Sequence, residues 1–309
     1  MGDFVILTDS STDLTKDLRE RFGITDYLPG IVVLPDGKKE DSTLDWELMS
    51  PDEYYGSMTK DAIYTTGIKN IELQEEFFEK YLKQGYDILN ISLSSALSGT
   101  YKQCKVAAEK LMGKYPDRKI IVVDSVRYSG GLGLLVSCAG EMKQQGKSME
   151  EIADWLNVNK YRVHQMGTVD DLNFLKRSGR VSNIAAFMGG LINIKPMAEC
   201  DRKGMNTVMG KVTGYKKMFA ASIEYMKRTI EPNPKRIFVS HTYRKAQWIQ
   251  MQDLIKENFH PEEIIATRVN MANGTAIGPG MIVAFYFGNE ISEGLAEETK
   301  IFNEVKAGL

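Results

Sequence analysis

Hydroxyl side chains recur just after the predicted strands of this chain, where a bound ligand could reach them. Ser94 and Ser95 follow the apolar run 88–93, and Thr65 and Thr66 stand just before a glycine. In an open parallel sheet, ligands bind at the carboxyl ends of strands. Hydroxyls and helix N-terminal N–H groups there suit a single anion such as a carboxylate, since a polyphosphate would call for lysines or a metal ion. Each residue taken alone is also an ordinary helix cap or turn former.

The strong sequence signatures of catalysis are missing. The chain contains no GxxxxGK[ST] phosphate loop, no GxSxG nucleophile elbow and no HExxH zinc motif. The nearest approach to a dinucleotide fingerprint has Val136 where the third glycine should be. The three histidines, His164, His241 and His260, show no clustered spacing with carboxylates. We therefore expect no cofactor and no metal, and a nucleophile activated by histidine is disfavoured.

One enzymatic alternative remains open. Asp9 and Asp124 each follow a predicted strand, and a partly buried carboxylate there can act as a general base. The alternative is an α/β enzyme that acts on a small polar substrate, although both residues are also natural N-caps. A scaffold that binds other proteins ranks last, because the chain shows no internal repeat.

The elements that must position these residues alternate between strands and helices in the first half. Short apolar runs at 4–7, 88–93 and 119–123 are separated by amphipathic helical stretches. Repeated βα units of this kind predict a parallel sheet. We therefore expect residues 1–160 to form an α/β domain whose strand ends carry the hydroxyl side chains.

The second half has a different texture. Weaker strands are predicted at 163–169 and 207–211, with a Gly-, Met- and Ala-rich helix from Ser182 to Leu191 between them. Long helices at 215–230 and 243–258 follow, together with three more strands. The predicted fold class is thus α/β, with a parallel-sheet N-terminal domain and a second, mixed-sheet α/β domain over residues 161–309.

Composition and charge exclude several classes of protein. The 309 residues include 39 Lys plus Arg and 41 Asp plus Glu, and this near-neutral balance disfavours a protein built to wrap nucleic acid. No apolar run reaches the length of a membrane span, and the N-terminus lacks the pattern of a secretion signal. The three cysteines are too far apart for a CxxC site. A reducing, cytoplasmic location is therefore predicted.

Several short motifs, in a consistent order along almost the whole chain, carry a resemblance to a known family. They are TDSSTDL at 8–14, SSALSGTY at 94–101, VVDS at 122–125, LKRSGRVS at 175–182 and GPG at 278–280. Through them the chain resembles the DegV family of bacterial fatty-acid-binding proteins. The resemblance implies a two-domain α/β carrier, rather than an enzyme, that holds one long-chain fatty acid near the domain junction.

The resemblance also implies which residues hold the ligand. In the family, a Thr of one motif and a Ser of another contact the carboxylate, and here they match Thr65 or Thr66 and Ser94 or Ser95. The tail would occupy an apolar tunnel. The segment 184–197 suits that role because its side chains are small or flexible, although ordinary helix-core packing explains the same pattern. The residues expected to line the tunnel are Phe187, Met188 and Ile192.

Two departures from the family pattern concern the partner protein. Well-known members present the fatty acid to a separate kinase, which phosphorylates its carboxylate. Ala276 stands where the resemblance calls for a His, and Thr213 where it calls for an Arg. Both changes remove a cationic or proton-donating group. The alternative is that Arg177 or Arg180 supplies the missing charge. The hypothesis is a fatty-acid-binding protein that partners poorly, or not at all, with a fatty-acid kinase.

Overall fold

Strands and helices alternate along the computed structural model, which describes residues 3–58, 62–187 and 193–309. The strands are β1 (Phe4–Asp9), β2 (Asp26–Leu28), β3 (Gly30–Val33), β4 (Lys39–Ser42), β5 (Thr65–Gly67), β6 (Asp87–Ser92), β7 (Ile120–Asp124), β8 (Val163–Thr168), β9 (Val181–Ser182), β10 (Ile194–Cys200), β11 (Asn206–Thr213), β12 (Arg236–His241), β13 (Glu263–Arg268) and β14 (Ile282–Phe287). The helices are α1 (Lys16–Phe22), α2 (Pro51–Ser57), α3 (Ile71–Leu82), α4 (Thr100–Lys114), α5 (Ser129–Gln144), α6 (Met149–Asn159), α7 (Leu172–Ser178), α8 (Gly214–Thr229), α9 (Lys245–Phe259), α10 (Met271–Ile277) and α11 (Ala296–Ala307). Within these described ranges, no helix combines the length and the apolar character needed to cross a membrane.

Four parallel strands form the sheet of the first half, in the order β2-β1-β6-β7. All six residues of β1 are buried, and β1 pairs with β6 as far as Thr8 opposite Ile91. A strand buried on both faces is a continuous apolar run, which is the pattern that predicts it. The predicted parallel sheet is confirmed. Because the ends of β1 and β6 lie side by side, the hydroxyl-rich segments that follow them meet at one edge of the sheet.

A second sheet of four strands lies in the second half, in the order β13-β12-β14-β8. β12 and β13 run parallel, whereas β14 pairs antiparallel with both β12 and β8. The predicted mixed sheet is therefore confirmed. The helices α8 and α9 also agree closely with the two long helices that the apolar periodicity predicts.

Two three-stranded sheets complete the fold and account for the main errors of the sequence prediction. The sheet β4-β3-β5 includes the polar segment Lys39–Ser42, which no apolar pattern reveals. The sheet β10-β11-β9 includes Val181–Ser182, so the predicted helix from Ser182 to Leu191 is wrong at its start. Asn183 has a left-handed φ of 59°, which breaks a helix, and a short 3₁₀ turn follows at 184–187. The rest of the predicted helix, 188–191, lies outside the described residues.

The glycine-rich helix α5 connects the two large sheets through one apolar core. A Cβ on Gly130 would lie 2.7 Å from a ring carbon of Phe285 in β14, so only glycine allows this close approach. The buried cluster around the helix includes Ile6 of the first sheet and Phe238 of the second. The parallel sheet is therefore packed through α5 against the second sheet.

Candidate functional site

A cavity of about 320 Å³ opens at the carboxyl edge of the parallel sheet. It lies over the ends of β1 and β6, and residues of β5, α3, α4 and α10 also line it. Its volume falls in the range of small-molecule sites. The apolar part of the wall includes Leu28, Ile68, Leu93, Leu97, Leu175 and Ile277. We call this space the outer cavity.

A smaller space of about 40 Å³, which we call the inner pocket, adjoins the outer cavity. Tyr128, Leu175, Asn206 and Ile277 line both. Strands β8, β10, β11 and β14 supply most of its other walls. The outer cavity therefore continues, at these four shared residues, toward the second sheet.

The carboxylate of Asp9 lines the outer cavity and ties the two central strands together. One of its oxygens accepts a hydrogen bond from the Ser11 N–H (2.9 Å) and the other from the Leu93 N–H (2.8 Å). Burial raises the pKa of Asp9, although these donors act in the opposite direction. Asp124 likewise accepts from the backbone N–H of Ser95 (3.2 Å). Both candidate general bases are thus engaged as turn-forming residues.

Asp13 connects the parallel sheet to the helix that closes the outer cavity. Its Oδ1 accepts hydrogen bonds from the backbone N–H (2.8 Å) and the Nδ2 (2.6 Å) of Asn270, and Ser129 donates to its Oδ2. Asn270 in turn caps α10 by accepting from the Asn273 N–H (3.1 Å). Asn273 and Ala276 of this helix line the outer cavity. Asp13 is therefore a positioning residue for one wall of the site.

The buried Asp13 carboxyl should make the stability of the protein depend on pH. Burial raises its pKa from 3.8 to about 7, against the opposing effect of its hydrogen-bond donors. Between about pH 4 and pH 7 the folded state keeps this proton and the unfolded state releases it. The contribution to the free energy of unfolding therefore falls as the pH rises, by at most about 1.4 kcal/mol per pH unit.

Urea unfolding of the wild type and of Asp13→Asn across this pH range measures the effect. The variant cannot ionise at this position, so its stability relative to the wild type should increase as the pH rises and level off above about pH 7. A stability difference that stays constant with pH would contradict the assignment.

The structure separates the predicted threonine pair. Thr65 and Thr66 lie in β5, opposite Val33 and Val32 of β3. Successive side chains of a strand point to opposite faces. Both threonines are exposed, and it is Thr66 that lines the outer cavity.

The predicted serine pair lies beside the outer cavity, and two later hydroxyls of the same motif line it. Ser94 is fully buried, and its Oγ donates a hydrogen bond to the Gly204 carbonyl oxygen (2.8 Å). Ser95 is exposed. Ser98 and Thr100 line the cavity, with their hydroxyl oxygens 2.9 Å apart. The motif thus lies at the outer cavity, but the hydroxyls that line it are Ser98 and Thr100 rather than the predicted serine pair.

The apolar segment expected to form a tunnel is described only in part. Phe187 ends the 3₁₀ turn at 184–187, and Met188 and Ile192 lie outside the described residues. The apolar walls of the outer cavity come from other elements, chiefly β6, α7 and α10 with the segments that follow them. Leu97 and Leu175 belong to the quoted motifs, but apolar character alone could not separate cavity wall from core.

Polar and cationic side chains that the motifs did not single out also line the outer cavity. Gln74 of α3 is 2% exposed, and its Nε2 is buried without a hydrogen-bond partner among the described residues. Lys69, which is paired with Asp41, stands nearby in the sequence and lines the same space. Of the two arginines proposed as a source of charge, Arg180 lines the cavity, while Arg177 lies 4.7 Å from the ring centroid of Phe174. The outer cavity thus combines neutral donors and positive charge with the Asp9 carboxyl.

Comparison with known proteins identifies the family. Residues 3–289 match the sequence model of DegV, a family described as uncharacterised. The chain belongs to the DegV family. This DegV protein is 36% identical over 290 residues to the DegV domain-containing protein CPE0026 of Clostridium perfringens, and the match covers 94% of this chain and 99% of that protein. The resemblance read from the motifs is confirmed.

Solved DegV structures share the fold. A DegV family protein from Thermus thermophilus, described by its fatty-acid binding, superposes with a TM-score of 0.82 at 26% identity, covering 93% of this chain and 100% of that chain. A DegV lipid-binding protein from Thermotoga maritima gives a TM-score of 0.81 at 25% identity, covering 93% of this chain and 99% of that one. The predicted α/β fold class is therefore that of the DegV family.

The two positions that depart from the DegV pattern lie in different surroundings. Ala276 is half-buried on α10 and lines the outer cavity. Thr213 is exposed at the end of β11, where it precedes the first turn of α8. Only the change at Ala276 alters a side chain that a ligand in the cavity can contact.

Proposed function

We propose that this DegV protein binds one long-chain fatty acid, with the carboxylate in the polar part of the outer cavity and the tail directed toward the inner pocket. The observation that carries the proposal is the lining of the cavity, which combines hydroxyl, amide and cationic groups and the Asp9 carboxyl with apolar side chains of leucine and isoleucine. The relative from Thermus thermophilus, whose structure is described by its fatty-acid binding, supports the choice of ligand.

The carboxylate site is proposed to combine Thr66, Ser98 and Gln74 with a cation. The buried Nε2 of Gln74 lacks a partner among the described residues, and a carboxylate is an acceptor that would satisfy it. Arg180 and Lys69 can each add a charge-assisted hydrogen bond. Together these groups would hold the anion without a metal ion.

The other ligand contacts that the family motifs predict remain predictions. Thr65 and Ser95 are exposed beside the cavity, and Ser94 would have to release the Gly204 carbonyl before it could bind a ligand. The proposed contacts of the tail also include Phe187, Met188 and Ile192.

The tail should provide most of the affinity. A tail of about 14 methylenes that is buried at about 0.8 kcal/mol each contributes about 11 kcal/mol in total. Association opposes this with several kcal/mol of lost translational and rotational freedom. The remainder is enough for the acid to stay bound through purification.

We further propose a carrier rather than an enzyme, in which residues 1–160 and 161–309 form two domains that enclose the ligand. Of the two candidate general bases, Asp9 lines the cavity, and both of its oxygens accept backbone hydrogen bonds. Residues of both halves line the outer cavity, for example Ser98 and Ala276. The three cysteines are free thiols, which supports a reducing cytoplasmic location.

Mass spectrometry of an organic extract from natively purified protein tests the proposal. We expect about one mole of long-chain acid per mole of protein, and none from protein that has been denatured and washed before extraction. The proposal would be wrong if the native extract were empty and the protein also failed to take up added palmitic acid.

We also propose that this protein is a poor partner for a fatty-acid kinase, because Ala276 and Thr213 replace a proton-donating and a cationic group. With a fatty-acid kinase and loaded protein, the double variant Ala276→His, Thr213→Arg should form acyl phosphate at least about tenfold faster than the wild type. Ala272→His places the same side chain elsewhere on the cavity wall and is the matched control. If the wild type matches a kinase-competent DegV protein in rate, the proposal fails.

A further inference from the structure

A buried amide oxygen in the inner pocket lacks a hydrogen-bond donor. Gln165 of β8 is 3% exposed and lines the inner pocket, and among the residues that the structure describes none donates a hydrogen bond to its Oε1. Its Nε2 donates to Asn206 Oδ1 (2.9 Å) and to the Ala198 carbonyl oxygen (3.4 Å). The amide is therefore satisfied on its nitrogen side only, and an unpaired buried acceptor is unfavourable.

The orientation of this amide is determined by its surroundings. A flipped amide would place Oε1 against the Ala198 carbonyl oxygen, which can only accept, and would lose the hydrogen bond to it. The backbone is held as well, because the Gln165 N–H donates to the fully buried Glu199 Oε1 (2.9 Å). The amide oxygen therefore cannot easily turn away to find a donor within the protein.

A phenol lies close to this amide. Tyr128 lines both the outer cavity and the inner pocket, and it is near enough to the Gln165 amide for the two side chains to interact. Burial raises the pKa of Tyr128, so its hydroxyl stays protonated and able to donate. The Tyr128 hydroxyl does not donate to Gln165 Oε1, however, and this oxygen stays unpaired. A hydroxyl group that bridged the two residues could donate to Gln165 Oε1 and accept from Tyr128.

We propose that the preferred ligand is a long-chain acid that carries a hydroxyl group along its tail, bound by Gln165 and Tyr128 in the inner pocket. This inference rests on the proposed function. The two ends of the site are complementary in their unpaired groups: the Gln74 donor in the outer cavity suits a carboxylate, and the Gln165 acceptor suits a hydroxyl. A carboxylate has only acceptor oxygens, so it cannot donate to Gln165 Oε1. An acid bound the opposite way round, with its carboxylate in the inner pocket, would therefore leave Gln165 unsatisfied.

A purely hydrocarbon tail makes a poorer ligand for the same reason. It would offer no hydrogen-bond donor, so Gln165 Oε1 would stay unpaired. The expected difference in affinity between a hydroxylated and a plain acid is about tenfold or more. A trapped water molecule is the competing explanation, since a space of about 40 Å³ can hold one. In that case the hydroxylated acid would gain nothing over the plain one.

Competition binding to delipidated protein distinguishes these cases. The probes are stearic acid and four stearic acids that carry one hydroxyl at carbon 6, 8, 10 or 12. We expect at least one hydroxylated acid to bind about tenfold more tightly than stearic acid. If all four bind no more tightly than stearic acid, the inference is overturned while the proposed function stands. If no acid binds, the proposed function itself fails.

Variants locate the preference on the assigned residues. Gln165→Met and Tyr128→Phe should each reduce the preference for the hydroxylated acid to less than about threefold, and stearic acid should still bind. Gln74→Met makes the same chemical change in the outer cavity, so it should weaken all the acids to a similar degree and leave the preference intact. A preference that survives in both Gln165→Met and Tyr128→Phe would show that these residues do not recognise the hydroxyl.

Discussion

Replacing Ala276 with tryptophan should empty the outer cavity of its fatty acid. The alanine side chain lines the cavity on α10, beside Asn273 and Ile277, and an indole ring at this position would occupy much of the 320 Å³ available. Because the tail provides most of the proposed affinity, losing room for it should remove most of the binding energy. We expect the acid recovered per mole of protein in a native extract to fall at least about tenfold.

The matched control for this experiment is Ala246→Trp, since Ala246 is exposed in the first turn of α9. That variant should retain as much acid as the wild type. Thermal unfolding of both variants shows whether the fold is intact. Undiminished acid in folded Ala276→Trp protein would mean that the ligand lies elsewhere.

Replacing Gly140 with alanine should cause a large loss of stability without touching the cavity. A Cβ at this position of α5 would lie 2.0 Å from the backbone carbonyl oxygen of Phe22, a distance that no side-chain rotation can relieve. Alanine favours a helix over glycine by about 1 kcal/mol, but separating α5 from α1 disrupts the core that both helices share. We expect a net decrease of about 3 kcal/mol in the free energy of unfolding, measured by urea denaturation.

Gly113 provides the matched control, because the same substitution there meets no atom within 4 Å on the exposed side of α4. Gly113→Ala should therefore stabilise the protein by up to about 1 kcal/mol through helix propensity alone. The two substitutions should have opposite signs. If Gly140→Ala were also stabilising, the close packing of α1 on α5 would be incorrect.

Much of the fold could be predicted from local patterns. The apolar runs that became β1, β6 and β7 are long enough and continuous enough to indicate a buried parallel sheet. Short strands were missed because their sequences are polar or brief, as in β4, and they exist only through their pairing with β3. The predicted helix at Ser182 failed for a related reason: a single left-handed residue, Asn183, redirects the chain.

The candidate site was predictable as a region and not as a set of contacts. The SSALSGTY motif lies at the cavity, yet Ser94 donates to the carbonyl of Gly204, 110 residues later in the chain, whereas Ser98 lines the cavity. Gln74 and Gln165 carried no signal at all. Each is an ordinary glutamine until the fold buries it and leaves one of its polar atoms unpaired.

The sequence by itself determined the family and the parallel sheet, and it predicted the edge at which a ligand would bind, because these follow from motifs and from the periodicity of apolar residues. Only the tertiary structure decided which hydroxyls, amides and cations face the cavity. The physical reason is that a polar side chain becomes part of a binding site when its hydrogen bonds are not already satisfied, and the groups that satisfy them, such as Gly204 for Ser94, come from distant parts of the chain.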